Sequence, residues 1–155
     1  MTGGGSSIPE VHALLRVLAA GRDVAEFGTA FGEGAAAMAE TARSVVTVEL
    51  DPERAALART RLARHGNVEP LEGDAYTLLR GRGPFGLVFA DGGAYDWEAI
   101  VALVEPGGLI VKDDLTPGRA IEGDPVREFL LRDPRLAAVE VLTTPQSAAI
   151  VAVRR

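Results

Sequence analysis

The sequence predicts an α/β fold in which a doubly wound, mostly parallel sheet of seven strands ends in an antiparallel hairpin. Three observations predict it. Short β-type runs alternate with helix-type patterns along most of the 155 residues. A glycine-containing turn at 28–34 joins the first of these runs to an alanine-rich helix. The last two β-type runs are separated only by residues 143–147, which is short enough for a hairpin.

Caps and periodicity place the elements of the first half. Ser7 and Glu10 frame a capping box that opens the first helix, and Asp51 with Pro52 forms the start of another. The second strand is almost continuously β-branched, as is typical of a strand buried on both faces of a parallel sheet. The predicted elements are a helix from 9 to about 21, a strand at 24–27, a helix at 35–41, a strand at 45–49, a helix at 52–64 and a strand at 68–71.

The second half continues the alternation. Asp96 and Asp124 are predicted N-caps, and the Pro-Gly-Gly at 106–108 ends the helix before it. Residues 115–123 are polar and contain glycine, which indicates a loop. The predicted elements are a short helix at 75–80, a strand at 87–90, a helix at 97–104, a strand at 109–112, a helix at 125–132 and strands at 137–142 and 148–153.

Composition excludes several functional classes. With 155 residues and 47% hydrophobic content, we expect one domain over 1–155, with residues 1–6 disordered. A net charge of -6 disfavours a nucleic-acid partner, since phosphate binding needs a basic surface. The chain contains no Cys, and no apolar run reaches membrane-spanning length. A soluble, cytoplasmic protein without a nucleic-acid or membrane partner is therefore predicted.

The turn after the first strand indicates a nucleotide-like ligand. Gly28, Gly32 and Gly34 lie where backbone N–H groups can approach a ligand without Cβ obstruction. The dinucleotide fingerprint G-x-G-x-x-G needs glycine at the position held here by Ala30. Glu26, expected at the lip of the turn, would repel a pyrophosphate and favour an ammonium group or ribose hydroxyls. A nicotinamide-dependent oxidoreductase is thus the less favoured alternative.

Acidic residues follow several of the predicted strands. In open α/β sheets the ligand lies at the carboxyl ends of the strands, so these acids are candidates for the site. Glu49 lies where it could accept hydrogen bonds from a ribose diol, and Asp51 already occupies the helix cap beside it. The other strand-end acids are Asp74, Asp91, Asp113 and Asp114.

Together these residues resemble the class I S-adenosylmethionine (AdoMet) dependent methyltransferases, and more narrowly the catechol O-methyltransferase-like family. Residues 26–32 resemble its E-x-G-T-x-x-G motif, 107–114 resemble G-G-L-I-x-x-D-N, and 89–91 resemble F-x-D. The resemblance implies a Rossmann-like methyltransferase fold of seven strands, with the last strand inserted next to the fifth. It also implies AdoMet as cofactor and a small-molecule acceptor, most simply methylated on a hydroxyl oxygen.

The resemblance assigns roles residue by residue. Glu49 corresponds to the acid that binds ribose, and Asp74 to the one near adenine. Glu26 and Asp91 would flank the methionine portion of the cofactor. The full set that the resemblance assigns to AdoMet is Glu26, Gly28, Thr29, Gly32, Gly34, Glu49, Asp74, Ala75 and Asp91.

The same resemblance implies a divalent-metal site, usually for Mg²⁺, made by Asp91, Asp113 and Asp114. The alternative is that these acids only face the cofactor or cap helices. Ala94 stands where the family has a basic residue, so the usual general base is missing. Lys112, the only Lys in the chain, is the candidate to replace it, with Asp91 as the second catalytic residue. A Lys that merely neutralises neighbouring acids is the alternative.

A second departure concerns the cover over the substrate. Members of the family carry additional N-terminal helices there, whereas few residues precede the first strand of this chain. A partner subunit in a homodimer, a larger substrate or closure of residues 115–123 could compensate. The function predicted is an AdoMet-dependent O-methyltransferase, and a cofactor-binding or dimerisation module with little catalysis is the alternative from another class.

Overall fold

The structure, a computed structural model, describes residues 5–91 and 95–155. Within these ranges the helices are α1 (Pro9–Leu18), α2 (Glu33–Ala39), α3 (Pro52–Leu62), α4 (Ala75–Leu78), α5 (Trp97–Leu103) and α6 (Pro125–Arg132). The strands are β1 (Asp23–Phe27), β2 (Ser44–Glu49), β3 (Val68–Glu72), β4 (Phe85–Ala90), β5 (Val104–Leu115), β6 (Leu136–Thr144) and β7 (Ser147–Arg154). None of these helices is long and apolar enough to cross a membrane.

The strands form one sheet in the order β3-β2-β1-β4-β5-β7-β6. The first five strands pair in parallel, and β7 pairs antiparallel with both β5 and β6. The predicted seven-stranded fold, including the insertion of the last strand beside the fifth, is therefore confirmed. Strand order reverses at β1 and β4, and such a switch point is where open α/β sheets bind ligands.

Two apolar cores cover the two faces of the sheet. On one face α1, α2 and α3 contribute side chains such as Leu15, Met38 and Leu62. On the other face α5 and α6 contribute Ile100 and Leu130 among others. Because β1 is central, its side chains alternate between these two cores, which fixes the direction in which each residue of the strand points.

Most predicted caps are present, and one prediction is wrong. The carboxylates of Asp51, Asp96 and Asp124 accept hydrogen bonds from the first-turn backbone of α3, α5 and α6. The N-cap of α1 is Ile8, which makes no side-chain cap. The Ser7 hydroxyl instead donates to Asp113 Oδ2 at 2.6 Å, so the predicted capping box does not form.

Candidate functional site

A cavity of about 610 Å³ opens at the carboxyl ends of the central strands, within the size range of small-molecule sites. It lies where β1, β2, β4 and β5 end, so each strand delivers its last residues to one space. Among the residues predicted from sequence, those that line the cavity are Gly28, Glu49, Asp74, Ala75, Asp91, Lys112 and Asp114. The topology thus brings together side chains that are far apart in the chain.

The turn after β1 presents its backbone to this cavity. Gly28 has φ +87°, in the left-handed region that favours glycine. Ala30 has φ +48°, and its N–H donates to Glu49 Oε2 at 2.7 Å. Glu49 Oε1 accepts from the Asp51 N–H at 3.0 Å. The Glu49 carboxylate is therefore fixed on both oxygens by backbone, and its remaining lone pairs can accept from a ligand.

Glu26 does not lie at the lip of the turn, which corrects the predicted position. It is 1% exposed, is not among the residues that line the cavity, and packs beneath Gly34 of α2. The Thr47 hydroxyl donates to its carboxylate. Burial raises the pKa of Glu26 well above its usual value, against the lowering effect of the Thr47 hydrogen bond. A Cβ at Gly34 would lie 2.6 Å from Glu26 Oε1, so this glycine is required by close packing over the acid.

Thr29 and Gly32 also lie outside the cavity lining. The Thr29 and Thr47 hydroxyls are 2.6 Å apart in the interior. Gly32 has φ +86° at the N-cap of α2, and a Cβ there would come within 3.2 Å of the Leu62 side chain. Both residues shape the turn, so any effect they have on a cofactor is exerted through the backbone of the residues beside them.

The wall next to Asp74 is aromatic. Asp74 caps α4, its Oδ2 accepting from the Thr77 N–H at 3.3 Å. Tyr76 packs edge to face against Phe27 with ring centroids 5.1 Å apart, and its hydroxyl accepts from the Asp96 N–H at 2.8 Å. The result is a cleft with an apolar wall and a carboxylate at its rim, which suits a flat heterocycle.

At the opposite end of the cavity, Asp91 and Asp114 line the wall and converge with Asp113, which is fully buried and is not among the lining residues. One oxygen from each of Asp91, Asp113 and Asp114 lies within 4.8 Å of the others. Burial and the charges of Asp113 and Asp114 raise the pKa of Asp91 to about 7. Burial likewise raises the pKa of Asp113. The pairing of β5 with β7 is irregular between Lys112 and Leu115, and this irregularity brings both adjacent aspartates to one site.

Lys112 lies beside this acid cluster. Its Nζ donates to the backbone carbonyl of Asp113 and lies 3.8 Å from Asp113 Oδ1. The same ammonium group is 5.5 Å from the Tyr95 ring centroid, and Tyr95 stacks on Trp97 at 4.6 Å. A cation held between carboxylates and an aromatic face can orient a polar group of a ligand. Ala94, where a basic residue was missing from the motif, lies outside the described residues.

Several cavity residues were not predicted. Leu50 is 73% exposed directly after Glu49, and Arg54 lies 5.8 Å from the Phe31 ring centroid on the same rim. An apolar residue following a strand-end acid is a signal that could have identified Leu50. Gly5 also lines the cavity, whereas residues 115–123 do not. The chain before α1 therefore contributes to the cavity wall.

Comparisons with known proteins agree with this geometry. Residues 25–115 match the family described as "Methyltransferase domain". The chain is similar to protein-L-isoaspartate O-methyltransferase of Rhodopseudomonas palustris (strain BisB5), with 33% identity over 97 residues, 61% of this chain and 45% of that protein. The chain thus spans less than half the length of this curated relative.

Two solved structures are similar over almost the whole chain. Cofactor-bound Rv0187 from MTB shares 26% identity at a TM-score of 0.77, covering 97% of this chain and 82% of that one. The O-methyltransferase TomG from Streptomyces achromogenes, in complex with SAM, shares 25% identity at a TM-score of 0.74, covering 97% and 81%. With the family match and the sheet order, these findings favour a methyltransferase over a nicotinamide-dependent oxidoreductase. The chain belongs to the class I S-adenosylmethionine-dependent methyltransferases.

Proposed function

We propose that this chain transfers the methyl group of AdoMet to a hydroxyl oxygen of a small molecule, with assistance from a divalent cation. The observation that carries the proposal is the division of one cavity into two ends. Glu49 and the Gly28 turn line one end, Asp91 and Asp114 line the other, and the buried Asp113 lies beside these two acids. A cofactor in the first end would direct its methyl group towards an acceptor held at the second.

The contacts at the first end suit an adenosyl group. Glu49 is held by two backbone N–H groups and would accept from the ribose hydroxyls. Adenine would lie in the cleft near Asp74 and Ala75, with Leu50 available to cover it. Gly28 would let the methionine portion approach the backbone, and the Asp91 carboxylate would attract its ammonium group.

The acid end suits a hard cation such as Mg²⁺. Three carboxylates supply only oxygen donors, which is the ligand type that Mg²⁺ prefers. Asp113 Oδ1 is buried without a hydrogen-bond partner, so the folded chain leaves a charged acceptor that a cation would satisfy. When bound, such a cation would lower the pKa of an acceptor hydroxyl that it contacts.

The chemistry asked of the protein is chiefly orientation. A lone pair on the acceptor oxygen attacks the methyl carbon as the carbon–sulfur bond breaks, so the products are a methyl ether and S-adenosylhomocysteine. The acceptor proton leaves to a base, for which Asp91 is the proposed group, and the Lys112 ammonium is proposed to orient the acceptor hydroxyl. Sulfonium is a good leaving group, so in-line alignment of oxygen, carbon and sulfur supplies most of the catalysis.

The acceptor class follows from the cation proposed at the acid end. A divalent cation would assist removal of the proton of a hydroxyl, whereas a free carboxylate, the group methylated in an isoaspartyl peptide, has no proton to remove, so the acid end favours a hydroxyl acceptor. We also propose that residues 1–155 form one domain and that two copies of it form a homodimer. The exposed Val139 and Leu142 on β6, an edge strand, support such an interface. A cytoplasmic location stays a prediction.

Calorimetry and product analysis test this function together. Titration with S-adenosylhomocysteine should release heat with one site per chain. Incubation with AdoMet, Mg²⁺ and a panel of catechols should yield methyl ethers, whereas an isoaspartyl peptide should not react. No binding of S-adenosylhomocysteine would overturn the proposal. Binding without turnover on any acceptor would instead indicate the cofactor-binding module, and sedimentation velocity tests the dimer independently.

A further inference from the structure

Ser7 contacts the acid end although it precedes every element of the site. It lies before α1, outside the residues 25–115 that match the methyltransferase family. Its hydroxyl donates to Asp113 Oδ2 at 2.6 Å and lies 3.4 Å from Asp91 Oδ2. Ser7 itself is 9% exposed. Ser7 does not cap α1. Its hydroxyl instead contacts two acids that lie 84 and 106 residues later in the chain, which indicates that Ser7 belongs to the acid end.

The contact determines how Asp113 is presented. Asp113 is fully buried, and Ser7 occupies its Oδ2. Oδ1 has no hydrogen-bond partner, and the Lys112 Nζ is 3.8 Å away, beyond hydrogen-bond distance. Fixing one oxygen fixes the rotation of the whole carboxylate, so the free oxygen keeps one direction. Without the hydroxyl, Oδ2 would lose its side-chain donor at 2.6 Å, and Oδ1 would still have no hydrogen-bond partner.

We propose that Ser7 is a positioning residue for a divalent cation at the acid end, where it orients Asp113 and holds Asp91 beside it. This inference rests on the cation site of the proposed function. Partners of ligating carboxylates are a recognised part of metal sites, because they fix the geometry of the ligands. The same contact anchors the chain from Gly5 to Ile8 against the cavity that Gly5 lines.

A cation titration tests the role without measuring catalysis. Mn²⁺ is the probe, because it takes the same oxygen ligands as Mg²⁺ and the free ion is counted by electron paramagnetic resonance. Ser7→Ala should weaken Mn²⁺ binding by about 10-fold or more, the usual range for lost partners of metal ligands. Ser7→Thr keeps a hydroxyl and should restore most of the affinity. Ser6→Ala, which removes the neighbouring hydroxyl, should leave it unchanged.

Binding of S-adenosylhomocysteine distinguishes positioning from a general loss of structure. All three variants should keep most of the wild-type affinity for it, because Ser7 hydrogen-bonds to Asp113 and Asp91 and not to Glu49, which would hold the ribose. If Ser7→Ala weakened both ligands equally, or melted before the titration, Ser7→Cys provides the second measurement. A thiol is a weaker hydrogen-bond donor than a hydroxyl and still fills the position, so Mn²⁺ affinity should fall while the fold is kept.

The outcomes separate this inference from the function on which it rests. Equal Mn²⁺ affinity in the wild type, Ser7→Ala and Ser7→Cys would overturn the role of Ser7 alone. A wild-type protein that binds S-adenosylhomocysteine but no Mn²⁺ would overturn the cation site and the role together, while AdoMet-dependent transfer would stand. Selective loss of Mn²⁺ binding in Ser7→Ala, restored by Ser7→Thr, is the result expected.

Discussion

The two ends of the cavity differ in whether their carboxylates already have hydrogen-bond donors in the folded chain. At the cofactor end, both oxygens of Glu49 accept backbone N–H groups, so the charge is satisfied before any ligand arrives. At the acid end, three carboxylates face one another, and the pKa of Asp91 is raised to about 7 by burial and by its acidic neighbours. The first end is preorganised by the fold, whereas the second is strained by like charges that a cation would relieve.

The largest expected effect is at the cofactor end. Glu49→Ala should weaken S-adenosylhomocysteine binding by about 100-fold, because it removes charge-assisted bonds to ribose and frees the Ala30 and Asp51 N–H groups. Calorimetric titration measures the change. Glu53→Ala, an exposed acid in the first turn of α3, is the matched control and should bind normally. Unchanged affinity in Glu49→Ala would remove this end from the cofactor site.

The acid end should respond in the opposite direction when no cation is present. Asp113→Asn removes one of three clustered charges while keeping the shape, so the cation-free protein should gain about 1 kcal/mol of unfolding free energy. The same variant should bind Mn²⁺ less tightly than the wild type. Urea unfolding in chelator, followed by Mn²⁺ titration, measures both quantities. A loss of stability in chelator would contradict the view that this end is strained by its charges.

Glu26, which is buried beneath α2, should have a smaller effect on stability, and this effect should depend on pH. Its pKa is raised in the folded state, mainly by burial, so folding favours the protonated acid. The stabilising contribution is complete below the unfolded pKa of about 4.3 and is lost as pH rises through the raised folded value. Glu26→Gln should therefore flatten the fall in unfolding free energy with rising pH. Denaturant unfolding across a pH series checks this, with exposed Glu53→Gln as the control that keeps the wild-type slope.

Much of the fold could be predicted because its signals are local. The caps at Asp51 and Asp96 and the order of helices and strands depend on neighbouring residues, and the order of strands then follows from few topological rules. Glu49 and Asp91 were placed at the cavity because the ends of parallel strands meet at one edge. Spacing along the chain was sufficient for each of these.

The remaining features depend on direction and on distant contacts. Glu26 was expected at the cavity, but strand alternation turns it towards α2, and only its pairing opposite Thr47 shows why it is tolerated there. Ser7 has the pattern of a cap, yet a hydrogen bond to Asp113 across 106 residues competes with the local one. The irregular pairing after Lys112 leaves no mark in composition or periodicity.

The smallest expected effect is that of Asp114→Asn, at a position where backbone and charge can be separated. It has φ +58°, a left-handed conformation that Asp and Asn adopt more readily than other side chains. Asp114 is exposed whereas Asp113 is buried, so removing the charge of Asp114 relieves less repulsion. Asp114→Asn should therefore leave the unfolding free energy close to that of the wild type while keeping an oxygen ligand at the acid end. Asp114→Val should lose about 1–2 kcal/mol, because a β-branched residue fits this conformation poorly. Urea unfolding of the two variants measures the difference. Equal stability would show that the backbone at residue 114 can relax. It would contradict the view that the irregular end of β5 holds Asp113 and Asp114 together.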